Sequence, residues 1–465
     1  MSTQVVRYEE DVTVTRAEYV SGPGILLPGS ASRNGPASRI GPASRNGPAS
    51  LSGVAPPSCA RSRSSGRCAV LHRAGSGTEL RFGPLSVRRL TDLEDGFPPP
   101  LPIEVWWPGF LASVHLAETR ADQAGARLSF VTARHVDQRV AVWRDGNRIQ
   151  DRRSYSFVRL GLRSGSVSLA DSAVFPGAPG EAAEAVAAMA AGLAGDSQLL
   201  AGPGTRGDEE TLGASRAKPK PDLPGGGTLV VLSGSAAAFF VHEVCSHALE
   251  GDAQVSRTSV LASLRGRRVA PDFLDIADVG GFPGCPAGLG VDDEGTVPGK
   301  TPLVENGMLT GAVYDLSWAR AAGVASTGNG RRQNHRAWAL PRPIITLVRP
   351  GEGDVGDLVQ AMDEGYHVTR VTNGRANVVT GAFELAAPLA TLIRGGRPAG
   401  WAGPCVLTGD IRTALAGLLA VGHAPEVWAQ LCGKGGQLLP VGTVSPPLLC
   451  SGLTMGVTGF RARAD

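Results

Sequence analysis

Cysteine is scarce in this 465-residue chain. The seven thiols stand at 59, 68, 245, 285, 405, 432 and 450, odd in number, irregularly spaced and never as CxxC. That excludes a secreted disulfide framework and leaves reduced thiols available to a metal. Charge is also sparse, at 19% of residues, and the net charge of +3 gives no global basic field. Nucleic acid is therefore not an expected partner. No long apolar run is present. The longest, Gly227–Val241, interrupted by Ser233 and Ser235, falls short of the roughly 20 residues that span a bilayer. The polar start, MSTQVVRYEEDVTV, has no apolar signal core. The expectation is a soluble cytoplasmic protein with no membrane partner.

What the chain does contain is apolar residues, at 42%, together with 63 glycines and 34 prolines. This balance excludes charge-driven disorder and favours strands and turns over a helical bundle. At roughly 150 residues per domain, the length suits two or three domains. Residues 31–48 repeat a hexapeptide, ASRNGP, ASRIGP and ASRNGP, with too few apolar residues to bury a core. A low-complexity linker is expected over about 29–66. From Tyr19 to Thr78 there are seven arginines and no acid, which leaves the remainder of the chain at about −4.

Alternation from Leu128 to Leu169 predicts a β-meander, with a hairpin at Asp145-Gly146. GEAAEAVAAMAAGLAG (180–195) predicts a helix with Val186, Met189 and Leu193 on one face. The Gly/Pro-rich stretch 196–227 marks the main boundary. Beyond it come a strand at Thr228–Leu232, a helix capped by serine near 233–235, and a tight hairpin at Asn306-Gly307. A short helix near 410–420 is expected to group Ile411, Leu415, Leu418 and Leu419. The fold class is α/β of the α+β type. Residues 1–225 are expected to form an N-terminal mixed α/β domain, and 226–465 a β-rich C-terminal domain carrying a metal-binding helix.

The segment Ala237–Asp252, AAFFVHEVCSHALEGD, holds His242-Glu243 and, five residues after the first histidine, His247. Two imidazoles with a carboxylate suit a zinc hydrolase, in which the imidazoles bind metal and the carboxylate takes a proton from water. Five residues of regular helix turn about 500°, so the two histidines would point about 140° apart. If they share an ion, the helix must bulge or break between 242 and 247, and a π-bulge does this. A third ligand is required. Glu250, Asp252, Cys245, Cys285, Cys405, Cys432 and Cys450 are all open on spacing alone.

HEVCSHALEGD resembles the HExxxH…LEGD segment of the TldD/PmbA family of metallopeptidases. Further ordered matches are VDDEGTVPGKTPLVENGMLTGAVYD (291–315), STGNGRRQNHRAWALPRPIITLVRPGEGD (326–354) and QLCGKGGQLLPVG (430–442). Together they cover 242–442; the first 125 residues carry none of them. The resemblance implies zinc ligands His242, His247 and Cys432, with Glu243 as general base. It also implies an N-terminal α/β domain, a β-rich C-terminal domain, and a homodimer or a heterodimer with a TldD/PmbA-like subunit. The implied substrates are flexible or unfolded peptides, including leader peptides of natural-product precursors. Two departures stand out: Ser246 replaces the usual glycine, and Pro341-Arg342-Pro343-Ile344-Ile345-Thr346-Leu347 lacks the family's asparagine.

The expected activity is zinc-dependent peptide hydrolysis. The alternatives are a non-catalytic or partner-dependent binding subunit, and a zinc amidohydrolase acting on a small metabolite. Arg331, Arg332 and His335 are weighed either as carboxylate binders or as a solvated loop.

Overall fold

The computed structural model describes residues 2–9, 79–82, 85–88, 103–144, 147–165, 167–177, 179–201, 226–334 and 337–457. The expected linker and His335 lie outside these residues. The fold is α+β, with mixed sheets and more strand than helix. Among the described residues, no helix is long and apolar enough to cross a membrane.

The first half is an antiparallel sheet with two helices laid on it. Strands β1 (Ser2–Glu9), β2 (Arg127–Arg144), β3 (Asn147–Ser164) and β4 (Val167–Pro176) pair in that order. Arg144 lies opposite Asn147; the Asp145-Gly146 turn expected between them lies outside the described residues. Helix α1 (Ile103–Gln123) buries Phe110, Val114, Ala117 and Ala121, spaced by threes and fours along one stripe. Helix α2 (Ala183–Ala201) buries Val186, Met189 and Leu193, the face that periodicity selects. Both stripes close on Val131, Val158, Leu160 and Leu162 of the sheet.

The second half is built on two sheets. Its first strand, β5 (Thr228–Leu232), is buried along its whole length and runs into helix α3 (Gly234–Val241). A short helix α4 (Gly251–Val255) follows. Next come β6 (Ile276–Val279), β7 (Lys300–Glu305), β8 (Met308–Leu309), helix α5 (Leu316–Ala322) and β9 (Ile345–Val348). Asn306 and Gly307 between β7 and β8 take φ of 49° and 73°, the tight turn their identities call for.

Further along are β10 (Glu364–Val368), β11 (Asn373–Ala376), β12 (Ala382–Ala387), β13 (Ala390–Arg394), β14 (Arg397–Ala402) and β15 (Cys405–Asp410). Helix α6 (Ile411–Ala416) then leads to β16 (Leu418–Val421), β17 (Glu426–Lys434), β18 (Gln437–Ser445) and β19 (Leu448–Val457). One sheet has the order β8-β7-β6-β9-β18-β17. The other runs β11-β12-β15-β19-β5-β10-β13-β14, with β16 attached to β19. Thus β17 and β11 are outer strands of their sheets.

Two local expectations are corrected. Ser233 sits at the start of α3 but makes no capping bond; its hydroxyl lies 2.9 Å from His367 Nε2 instead. The 410–420 segment is helical only to Ala416. Leu418 and Leu419 belong to β16, whose alternation sends them into different apolar clusters.

Candidate metal centre

After Val241 the α-helix widens. Residues His242–Ser246 form a π-turn in which the His247 N–H bonds to the His242 carbonyl, five residues back. This is the distortion that the five-residue spacing requires for two facing histidines. The imidazoles stand 4.5 Å apart between ring centres. The surrounding run explains the helix's place: Phe240, Val241, Val244 and Cys245 are buried in the main core beside Val230 and Leu232 of β5. Ser246, far from straining the bulge, keeps helical angles and shares a 2.7 Å hydrogen bond with the Thr346 hydroxyl.

Cys432 arrives from the opposite side on β17. The β17–β18 hairpin turns at Gly435-Gly436, with φ of 58° and 76°, placing Cys432 against Leu439 and Lys434 against Gln437. Two residues apart on a strand, Cys432 and Lys434 share a face. Cys432 Sγ lies 3.1 Å from Nε2 of His242 and 3.1 Å from Nε2 of His247. The three donor atoms all fall within 4.8 Å of one another.

Tetrahedral zinc, with bonds of about 2.1 Å to nitrogen and about 2.3 Å to sulfur, would set nitrogen and sulfur about 3.5 Å apart. A spreading of a few tenths of an ångström therefore suffices. Two imidazoles and a thiolate form a donor set suited to zinc. Burial works against a charged Cys432 thiolate, yet His242 and His247 hold that thiol well below its ordinary pKa. Burial likewise opposes a charged His247, which Cys432 and Glu250 nevertheless hold well above its usual value.

The other thiols behave oppositely. Burial pushes Cys245 and Cys405 up to about 12 and also raises Cys450 and Cys285. None of these four belongs to the donor cluster; Cys59 and Cys68 lie outside the described residues. Asp252 is also not a donor here: it bonds Lys434 at 2.8 Å. Glu250, at the start of α4, sets Oε1 3.4 Å from His247 Nδ1 and Oε2 2.7 Å from Lys434 Nζ. Although burial opposes its charge, His247, Lys434 and Arg342 bring its carboxyl down to about 2.

The three donors open into a cleft of about 840 Å³, which Glu243 also lines. Residues Asn373–Ala376 of β11 form one wall and Gln430–Lys434 of β17 another, with Phe239 and Trp318 between them. Gly374 sits against Glu243: a Cβ there would lie 3.2 Å from Glu243 Cγ and 3.1 Å from Phe239 Cδ1. The first half contributes Phe157 and Ser172. It is held there by two arginines, one buried and one half-buried. Arg153 of β3 bonds Asp293 at 2.9 Å and the Val291 carbonyl at 2.7 Å. Arg370 reaches back to Asp171 at 2.6 Å and Asp196 at 2.7 Å.

Arg331 is neither a carboxylate binder nor part of a solvated loop. It is 1% exposed and donates to the carbonyls of Pro343 and Pro440. Neither it nor Arg332 lines the cleft. Sequence reasoning missed Gly374, Lys434, Arg342 and the contribution of Phe157. Only Lys434, two residues beyond Cys432 on a strand, was findable from spacing.

A β-rich body with a histidine-bearing π-turn facing a strand cysteine gathers a donor set that could hold a metal ion. Residues 225–457 match the family described as the PmbA/TldA metallopeptidase C-terminal domain. The chain belongs to the TldD/PmbA family. It is 32% identical over 235 residues to a metalloprotease TldD homolog of Buchnera aphidicola, covering 50% of this chain and 49% of that one. It is 30% identical over 158 residues to a zinc metalloprotease TldD homolog of Saccharolobus solfataricus, covering 34% and 35%. The chain spans about half the length of the first of these relatives and about a third of the second.

The fold resembles that of TldE from Thermococcus kodakarensis, with a TM-score of 0.54 at 19% identity, over 77% of this chain and 76% of that one. It also resembles a Thermotoga maritima protein described as a modulator of a DNA gyrase, with a TM-score of 0.59 at 19% identity, over 82% and 79%.

Proposed function

We propose that this chain is a zinc-dependent peptidase that hydrolyses flexible or unfolded peptides. His242, His247 and Cys432 would hold the metal, and Glu243 would act as the base. The observation that carries this reading is the convergence of one thiol and two imidazole nitrogens within 4.8 Å, at the floor of a cleft that Glu243 also lines. Zinc, when bound, supplies Lewis acidity toward the scissile carbonyl and lowers the pKa of water.

The chain's own groups do the rest. Glu243 accepts the proton of the attacking water on its carboxylate as the oxygen adds to the carbonyl carbon. It then returns that proton to the amine nitrogen as the C–N bond breaks. The outer strands β11 and β17 offer main-chain N–H and C=O groups along the cleft walls, where an extended peptide would pair as an added strand. Main-chain pairing asks little of side-chain sequence, which suits unfolded segments and leader peptides of precursors. A folded substrate could not present an extended strand to both walls.

We further read 1–225 and 226–465 as two domains, the first completing the cleft. The active assembly is a homodimer or a heterodimer with a TldD/PmbA-like subunit, in the cytoplasm. Glu243→Gln tests the mechanism: it should retain zinc and lose cleavage of an unstructured peptide. Full activity in that variant would overturn it.

A further inference from the structure

Behind the metal centre lies a buried charge pair that the reaction does not consume. Arg342 is fully buried. Its Nη2 donates to the Cys432 carbonyl at 2.9 Å, and its Nε lies 3.5 Å from Glu250 Oε1. The same Oε1 is 3.4 Å from His247 Nδ1. Neither approach to Oε1 is aligned as a hydrogen bond; among the described residues, Glu250 Oε1 and Arg342 Nε and Nη1 have no hydrogen-bond partner. The Arg342 main chain is fixed by Asn329: its N–H donates to the Asn329 carbonyl, and the Asn329 side-chain amide donates to the Arg342 carbonyl and to Asp278, at 2.7 Å. A guanidinium is costly to bury with two of its nitrogens unbonded, so this placement asks for a role.

We propose that Glu250 and Arg342 form a positioning unit that sets two of the three donors from behind. The Glu250 carboxylate, 3.4 Å from His247 Nδ1, favours the proton on that nitrogen by its charge and so leaves Nε2 as the lone-pair nitrogen. Arg342 fixes both that carboxylate and the β17 backbone at Cys432. His242 has no such support: among the described residues its buried Nδ1 has no hydrogen-bond partner. The link matters because His247 and Cys432 come from elements 185 residues apart in sequence, and Arg342 bridges them directly. Outer groups that orient ligands typically change metal affinity by about 10–100-fold.

This inference rests on the metal-binding reading above. The test is zinc affinity of the full chain, measured with the metal alone by competition against a chromophoric chelator, alongside the spectrum of the cobalt-substituted protein. Glu250→Leu combined with Arg342→Met replaces both partners by apolar groups of similar size, a change that often leaves folding intact. The expected result is a metal-free unfolding midpoint like that of the wild type, zinc affinity lower by about 10–100-fold, and an altered cobalt spectrum. Glu250→Gln, nearly isosteric, is the second variant and should weaken zinc in the same direction even if the double variant fails to fold. Unchanged zinc affinity and spectrum in whichever of these variants folds would overturn the positioning role. A wild-type chain that binds no zinc would instead overturn the metal-binding reading itself.

Discussion

Replacing Gly374 by alanine should silence the site without emptying it. Gly374 lies on the outer strand β11, and its φ is outside the left-handed region, so alanine brings no backbone strain. The new Cβ would stand 2.9 Å from Leu385 Cδ2, 3.1 Å from Phe239 Cδ1 and 3.2 Å from Glu243 Cγ. Leu385 is fully buried and cannot retreat far. Overpacking of this kind costs about 1–3 kcal/mol of stability. The sharper effect is on Glu243, which must give by a few tenths of an ångström or change its aim. Misplacement of a reacting group by about 1 Å costs about 100-fold in rate. A smaller displacement here sets the expectation at about 10-fold or more in kcat. No zinc donor is among the contacts of the added carbon, so zinc content should stay at the wild-type level. Steady-state cleavage of an unstructured peptide, with metal analysis of the same samples, reads both quantities. Wild-type kcat in zinc-loaded Gly374→Ala would refute the placement of Glu243 at the chemistry.

Three further expectations concern the scaffold. Arg370→Ala strands Asp171, whose side chain is 1% exposed, beside Asp196; denaturant unfolding should show a loss of about 3–5 kcal/mol, and a change within 0.5 kcal/mol would contradict the tie. Ser246→Gly should cost about 1–2 kcal/mol, since it removes the Thr346 partner and adds backbone freedom; a stabilised variant would show that serine strains the π-turn after all. Burial pushes Asp278 up to about 7 from an ordinary 3.8. With its folded pKa raised, this group's contribution is full below about 3.8 and is lost as pH rises through about 7. The stability advantage of wild type over Asp278→Asn should therefore shrink between pH 5 and pH 8, by at most about 1.4 kcal/mol per unit. A gap that widens toward pH 8 would reverse the assignment.

Much of the fold was readable where one short-range signal decided the outcome. The Asn306-Gly307 turn, the Ala-rich helix and the need for a bulge after His242 each follow from spacing and backbone chemistry over a few residues. The reading of Ser233 failed because a distant partner, His367 of β10, took the hydroxyl that would have capped the helix. Leu418 and Leu419 fit a helical face on paper but were drawn into strand pairing with β19. The site divides the same way. His242, Glu243 and His247 announce themselves within six residues. Cys432 was one of several open thiols on spacing, and only tertiary closure and its family resemblance single it out. Arg331 reads either as a carboxylate binder or as part of a solvated loop because its context is polar and Gly-rich. Its burial comes from two carbonyls, Pro343 and Pro440, the second more than a hundred residues away. Gly374 and Arg342 gain their meaning solely from what the fold sets opposite them.

The most direct test of the account is the zinc content of the purified chain beside Cys432→Ala, both first freed of adventitious metal and then exposed to equal zinc. The account expects about one zinc per wild-type chain and none in the variant, with both folded. Zinc retained at full stoichiometry in Cys432→Ala, or absent from both proteins, would contradict a centre built from His242, His247 and Cys432.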